Sequence, residues 1–425
     1  MELYVVRPGD SIYSIATQFS LPMAQIIWDN GLTDPGELVV GQVLVLRFPN
    51  KTYVVRLGDT LEQIASKNQT SVRQLLRNNP FLSGSEQIQP GQRLVLSYDQ
   101  SPLFPLTVNA YSYPDIDVSL LRGVLPFLSQ ITPFTYGFTE TGELVLLDDK
   151  LFLTEANRLG VQPVLSLSTL TEDGTFSNEL AHILLNDSSI QSTLIQNLDR
   201  LIKETGYRAI EVDFEFVLKE DALPYAAFIQ RLHDSFSPNS IPIIVDLAPK
   251  VFAQQPGLLY EGHDYAALGQ AADYVLLMTY EWGYTYGPPM AVAPIRNVRQ
   301  VLDYALTEIP PEKIYLGIPA YGYDWTLPFQ PGVSRANSIS NLQAIDLART
   351  YRQAIRYDEQ AQSPWFQYVD EKGQTHEVWF EDARSILAKL ELAQEKQLFG
   401  INYWNLNRPF PQNWPLLDSL VQIQE

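Results

Sequence analysis

Three carboxylates stand at alternate positions in Ala209-Ile210-Glu211-Val212-Asp213-Phe214-Glu215-Phe216. Side chains two apart on a β-strand share a face. The stretch therefore reads as a strand with Glu211, Asp213 and Glu215 on one side and Ile210, Val212, Phe214 and Phe216 buried on the other. On a helix the same acids would scatter around the cylinder. Same-face neighbours on a strand lie roughly 6.5–7 Å apart, close enough for each charge to oppose the next group's ionisation. Crowding of this kind can shift the ionisation of the whole set, as acid–base chemistry requires. The plain alternative is the solvated face of an ordinary antiparallel strand.

A strand that carries such groups needs a frame to aim them. Apolar, strand-like runs occur at 106–111, 134–138, 163–167, 209–216, 241–247, 274–280, 314–318 and 400–404, with helical patterns between them. Eight such runs over roughly 320 residues fit a (β/α)₈ TIM barrel, a fold spanning about 200 to over 400 residues. The acid-bearing run is the fourth. Active groups of this fold sit at the C-terminal ends of its strands, where Asp213 and Glu215 fall. The stretch 323–396 is too long for a plain loop and helix. Trp365-Phe-Gln-Tyr-Val369 and His376-Glu-Val-Trp-Phe380 read as a hairpin around Asp370-Glu-Lys-Gly373, with a helix following at about 382–396. This predicts a small α+β insertion walling one side of a cleft. Trp282, Trp325 and Trp365 are candidates for its lining, with core packing as the alternative.

Ahead of the barrel lies an internal repeat. Tyr4-Val-Val-Arg-Pro-Gly-Asp-Ser-Ile12 returns as Tyr53-Val-Val-Arg-Leu-Gly-Asp-Thr-Leu61, and Leu38-Val-Val-Gly-Gln-Val-Leu-Val-Leu46 as Ile88-Gln-Pro-Gly-Gln-Arg-Leu-Val-Leu96. Two short helical patterns lie between the ends of each copy, so each unit reads strand, helix, helix, strand. Ser11 and Thr60 suit helix N-caps, and Gly9 and Gly58 permit the turn out of the first strand. Residues 97–105 read as a turn-rich linker.

Composition narrows the chemistry. The chain has 425 residues, 45% apolar and 18% charged, which describes a soluble globular protein of more than one domain. No run of eighteen apolar residues predicts a membrane span. Met1-Glu-Leu-Tyr-Val-Val-Arg7 reads as folded structure rather than a secretory signal. With no cysteine there are no disulfides, thiol nucleophiles or thiolate metal sites. A net charge of −20 argues against nucleic acid and anionic surfaces as partners, and says little about a neutral sugar. His376-Glu377 opens like a zinc-protease motif, but Phe380 stands where the second histidine belongs. His263-Asp264 reads as a loop cap. No metal and no cofactor are expected, and the chain is expected to be monomeric.

The repeat resembles the lysin motif, LysM, in two tandem copies at 2–48 and 51–98. That resemblance implies binding of N-acetylglucosamine-containing glycans such as peptidoglycan or chitin. It maps the contacting loops onto Gly9, Asp10, Ser11 and Ile12 with 38–41, and onto Gly58, Asp59, Thr60 and Leu61 with 88–91.

Residues 105–425 resemble glycoside hydrolase family 18, whose fourth-strand signature is Asp-Gly-x-Asp-x-Asp-x-Glu. Asp213 and Glu215 match its last two acids; Arg208-Ala209 replaces the first pair, and Glu211 the middle Asp. Met278-Thr-Tyr280-Glu281 resembles the sixth-strand Met-x-Tyr-Asp, and Tyr403-Trp404 the eighth-strand tryptophan; Ser166-Leu-Ser-Thr169 is a weak match to the third-strand Ser-x-Gly-Gly. Met278-Thr-Tyr-Glu-Trp282 onward to Pro294, Tyr323-Asp-Trp-Thr-Leu-Pro328 and Phe410-Pro-Gln-Asn-Trp414 resemble the spore-associated branch. Its members are cortex-lytic N-acetylglucosaminidases of endospore-forming bacteria, so the resemblance implies a place at the spore coat/cortex boundary, with the cytoplasm as the alternative. The implied chemistry is retaining and substrate-assisted, an exception to the two-carboxylate rule. Glu215 is the implied acid, Asp213 the stabiliser of an oxazolinium ion and Tyr280 the donor to the acetamido oxygen. Trp404 is the implied sugar platform, with Glu281, Glu211, Met278 and Trp282 contributing to substrate binding. A chitinase, or a non-catalytic glycan-binding coat protein, remain the other readings.

Overall fold

Among the described residues, 1–99 and 103–424, eight parallel strands close into a barrel in the computed structural model. They are β1 (Phe104–Ser112), β2 (Gln130–Pro133), β3 (Gln162–Ser168), β4 (Ala209–Asp213), β5 (Ile243–Leu247), β6 (Tyr274–Leu277), β7 (Ile314–Pro319) and β8 (Gly400–Trp404). Neighbours follow chain order, and β8 pairs with β1 to shut the cylinder. Runs such as Ile243-Ile-Val-Asp-Leu247 are buried on both faces, outward under helices and inward in the barrel.

The helix leading into β4 shows how the acids are placed. Asp187 caps Ser188–Thr205 by accepting from the backbone N–H groups of Ser189 and Ile190. Leu194, Leu198 and Ile202, four apart, bury one face. Gly206, at φ 83°, ends the helix in the left-handed conformation and turns the chain into β4. There Asp213 lies opposite Ser168 of β3.

Four expectations need correction. The second strand is Gln130–Pro133, not 134–138; Gly137–Phe138 instead forms a small hairpin with Leu144–Val145. The true strand was hidden because its inward residues are polar: Gln130 accepts from Tyr315 Oη and Thr132 donates to Glu211. β4 stops at Asp213 and β6 at Leu277. Because pairing ends there, Phe216 leaves the buried face and is 43% exposed. The linker is also shorter than expected. Ser97 and Tyr98 belong to a strand of the second N-terminal unit, Phe104 and Pro105 to β1, and 100–102 lie outside the described residues.

Beyond β7 a five-stranded antiparallel sheet rises over the barrel, beginning at Tyr321–Thr326. The hairpin is present: Trp365 lies opposite Trp379 and Val369 opposite Thr375. The helix after it, Ala383–Glu395, contributes Ala383, Ile386 and Leu390 to the barrel's own core, so it serves as the barrel helix before β8.

Each N-terminal unit is strand, helix, helix, strand. The first comprises Glu2–Val5, Ile12–Phe19, Met23–Asn30 and Val43–Leu46; the second Pro49–Val54, Leu61–Lys67, Val72–Asn78 and Arg93–Tyr98. Ser11 and Thr60 cap the first helix of each, as their positions predict. Both units dock on the barrel. Asp418, on its last helix, lies 3.5 Å from Arg47 of the first unit and 3.2 Å from Arg77 of the second. No helix among the described residues is long and apolar enough to cross a membrane.

Candidate active site

The three acids of β4 form a column from the barrel interior to its mouth. Glu211 is fully buried and accepts three hydrogen bonds: from Asn109 Nδ2 at 3.2 Å, Thr132 Oγ1 at 2.9 Å and Asn402 Nδ2 at 2.9 Å. These donors come from β1, β2 and β8. Burial pushes its pKa up to about 7 despite them. Asp213, one layer higher, is buried, and its Oδ1 has no partner among the described residues. Burial, then the charges of Glu215 and Glu211, hold its carboxyl well above the usual range. Glu215 lies past the strand end. It is open to solvent through the cleft, yet the protein around it raises its pKa by desolvation.

A fourth acid joins them. Asp246, on β5, accepts from Tyr111 Oη at 2.7 Å, and burial beside Glu211 and Asp213 raises it strongly. It is a lone acid in the apolar run Ile243-Ile-Val-Asp-Leu247, a signal legible in the sequence but overlooked beside the β4 pattern. Of this cluster, donor-saturated Glu211 is the best site for negative charge. Asp213, without such donors, is the best site for a proton in the free protein.

The end of β6 supplies the opposite wall. Tyr280 faces Asp246, Asp213, Glu215 and Glu281, whose charges add to burial in raising its hydroxyl. Glu281 has φ 66°, a left-handed conformation that costs a non-glycine residue on the order of 1 kcal/mol. Its carboxylate accepts from the hydroxyls of Tyr321 and Tyr323, both on the first insertion strand. The backbone N–H of Trp282 donates to the Val292 carbonyl at 3.0 Å. Trp404 ends β8, and the rings of Tyr111, Tyr113 and Phe134 meet it nearly edge-on with centroids 5.4, 5.8 and 5.0 Å away, fixing its plane.

Asp213, Glu215, Met278, Tyr280, Trp282 and Trp404 open on one cavity of about 400 Å³. Asp246 and displaced Phe216 also line it. A second cavity, with Tyr321 and Arg408 in its wall, shares Glu281 and Trp404 with the first, so the cleft extends past the tryptophan on both sides. Trp325 is buried, its Nε1 donating to the Gly287 carbonyl at 2.8 Å, and Trp365 stacks on Trp379. The expected loop-cap histidine has a defined partner set. Ala248 N–H donates to His263 Nδ1 at 2.9 Å, so the ring proton sits on Nε2 and is donated to the Phe214 carbonyl at 3.0 Å. Burial pushes its pKa down to about 4.

In the N-terminal units the named loop residues hold the turns. Asp10 accepts from Tyr4 Oη and Arg7 N, and Asp59 from Tyr53 Oη and Arg56 N. Gly9 and Gly58 take φ 89° and 87°. Ser11 and Thr60 receive the Ser14 and Gln63 amides, Ile12 is half-buried, and Leu61 is 1% exposed in its module's core.

Comparison with known proteins places this geometry. The Glycosyl hydrolases family 18 profile matches residues 125–408. The chain belongs to glycosyl hydrolase family 18. By that family and by the relatives given below, it is a glycoside hydrolase. The LysM domain profile matches 4–47 and 53–97, so this family 18 barrel is joined to two modules of a type that binds N-acetylglucosamine glycans such as peptidoglycan. The cortical fragment-lytic enzyme of Bacillus subtilis (strain 168) is 40% identical over 431 residues, spanning 100% of this chain and 99% of that relative. Among solved structures, the spore cortex-lytic enzyme SleL of Bacillus megaterium QM B1551 superposes with a TM-score of 0.84 at 38% identity, covering 99% of this chain and 98% of that one. SleL of Bacillus cereus gives 0.83 at 38% identity, covering 100% and 99%.

Proposed function

We propose that this family 18 hydrolase is a spore cortex glycosidase cleaving β-1,4 bonds at N-acetylglucosamine by a retaining, substrate-assisted mechanism. The relatives named for cortex lysis cover the whole chain, which supports the substrate class. The observation that carries the mechanism is the column itself. Asp213 and Glu215 reach the cavity from one strand end, so they do not flank a sugar as an acid and a protein nucleophile would. Glu281, the carboxylate at the far wall, is engaged by two tyrosine hydroxyls.

In this reading protonated Glu215 gives its proton to the glycosidic oxygen while the substrate's 2-acetamido oxygen attacks C1 and the C1–O bond breaks. Trp404 supports the ring's apolar face, and Tyr280 donates to the acetamido oxygen. Asp213 holds a proton in the free enzyme and yields it to Asp246, whose Oδ1 is unpartnered among the described residues, as positive charge grows on the oxazolinium ion, and takes it back when that charge is discharged. As a carboxylate it then accepts the acetamido N–H and balances that charge. Glu215, now ionised, takes a proton from water, which attacks C1 on the face the leaving group left while the bond from C1 to the acetamido oxygen breaks and the acetamido group is restored.

The protein acts as a monomer at the spore coat/cortex boundary in this account. A chitooligosaccharide hydrolase would use the same groups, so the substrate test compares the two directly. Reduced products from cortex fragments and from chitooligosaccharides are resolved by mass spectrometry. Preferential cleavage of cortex fragments with N-acetylglucosamine at the new reducing end supports the proposal; preference for chitooligosaccharides overturns it.

A further inference from the structure

The two LysM modules present their matching loops to different surroundings. Gly41 and Gly91 occupy the same place in the repeat, with φ 85° and 87°. A β-carbon on Gly91 would meet nothing within 4 Å; on Gly41 it would lie 1.9 Å from the Ile355 carbonyl oxygen. The insertion and the barrel helix that follows it grip this loop along its backbone. Ile355 N–H donates to the Val40 carbonyl at 2.8 Å, Arg349 Nε to that of Glu37 at 3.0 Å, and Arg384 Nη2 to that of Gly41 at 3.4 Å. Val39 is buried in one cluster with Ile345, Ile355, Phe366 and Phe380 of the catalytic domain. One wall of the first module's loop pair is thus part of the insertion's core.

The second module docks by another side. Arg73 reaches the Leu128 carbonyl at 2.5 Å, and Arg77 that of Pro126 at 3.1 Å. Its loops at 57–61 and 88–91 are left open: Gln89, Pro90 and Gly91 are exposed, and Leu57 is 91% exposed. The repeat records the difference, with Val39-Val40 where the second copy has Gln89-Pro90. A glycan seated against 38–41 would first have to part the module from the insertion, and the cost of that opening would be subtracted from its affinity.

We infer that the 38–41 loop is an internal docking surface bracing the catalytic insertion, and that the second module's open face between 57–61 and 88–91 alone recruits N-acetylglucosamine glycan. The inference rests on the glycan-binding reading of the modules.

Full-length protein carrying Glu215→Gln, which leaves the wall intact, tests it through depletion binding to insoluble peptidoglycan. Matched pairs of charges go on the exposed positions of each module: Pro8→Glu with Val40→Glu, and Leu57→Glu with Pro90→Glu. Thermal melts confirm that each variant is folded. The second-module pair raises Kd at least tenfold, and the first-module pair changes it less than twofold. Equal weakening by both pairs, or no weakening by the second, overturns the assignment. Val39→Gln, which copies the second module's residue, lowers the melting midpoint and spares wall binding; an unchanged midpoint removes the bracing role. A parent protein that does not bind the wall at all refutes the glycan reading itself, and this inference with it.

Discussion

His263 holds the backbone of Phe214, the residue directly before Glu215, the proposed acid, through an Nε2–H bond to its carbonyl at 3.0 Å. Its other nitrogen takes the Ala248 amide, so one neutral ring pins the end of β4 to the end of β5. His263→Ala leaves both backbone groups unpaired and frees the chain that aims Glu215. The expected outcome is a fall in kcat of about 10–100-fold with little change in KM, since misplacement of a reacting group by about 1 Å can cost that much. Steady-state kinetics on soluble cortex fragments check it.

The same ring sets a pH dependence of stability. Its pKa is lowered from 6.5 to about 4 in the fold, so between those values the unfolded chain binds a proton that the folded chain refuses. This group's contribution to stability is therefore complete above pH 6.5 and declines as pH falls toward 4. The loss from this group reaches about 3 kcal/mol, from roughly 1.4 kcal/mol per pKa unit. Urea unfolding at pH 7 and pH 4.5 in the wild type and His263→Asn measures it; the variant should lose less stability over that interval.

Glu215→Gln keeps the fold and removes at least about 100-fold of turnover, the lower end of what general acid catalysis contributes. Desolvation raises the Glu215 pKa, so the wild-type rate falls as pH rises through that raised value and the acid ionises. The variant's residual rate lacks that limb. A pH–kcat/KM profile of both proteins decides the point.

Arg47 makes two hydrogen bonds to buried Asp29 and lies 3.5 Å from Asp418 of the barrel. Arg47→Ala leaves Asp29 as an uncompensated buried charge. Denaturant unfolding should show a loss of about 3–5 kcal/mol. Arg47→Met, which fills the space but also strands Asp29, should recover little of it; full recovery would mean that packing rather than charge holds this joint.

The frame was legible because its signals are local. Seven barrel strands announce themselves as apolar runs, and the two N-terminal units as a repeat with caps and turn glycines in matching places. β2 was missed because Gln130 and Thr132 serve tertiary partners, Tyr315 and Glu211, that no local pattern reveals. Alternation placed Glu211 and Asp213 correctly but carried Phe216 one pair too far, since the periodicity outlived the hydrogen-bonded strand. Asp246 and His263 were visible as residue types. Their roles depend on which strand ends meet across the barrel, and that depends on closure of the sheet. The unequal docking of the modules was written in Val39 and Gln89, yet nothing local says what a buried loop valine packs against.

Asp213→Asn separates charge stabilisation from positioning. A neutral amide keeps the shape but cannot balance the developing cation, so kcat should fall about 10²–10³-fold, the scale set by loss of one electrostatic stabiliser. Single-turnover rates place the loss in the chemical step, and an unchanged KM shows that binding is intact.

The central claim is that the substrate's own acetamido group is the nucleophile. A stable thiazoline analogue of the N-acetylglucosamine oxazolinium ion addresses it directly, because it mimics the bound intermediate. The account predicts competitive inhibition with a Ki at least about 100-fold below the substrate's KM, within the range by which such mimics exceed substrates. A thiazoline that binds no better than free N-acetylglucosamine would contradict it.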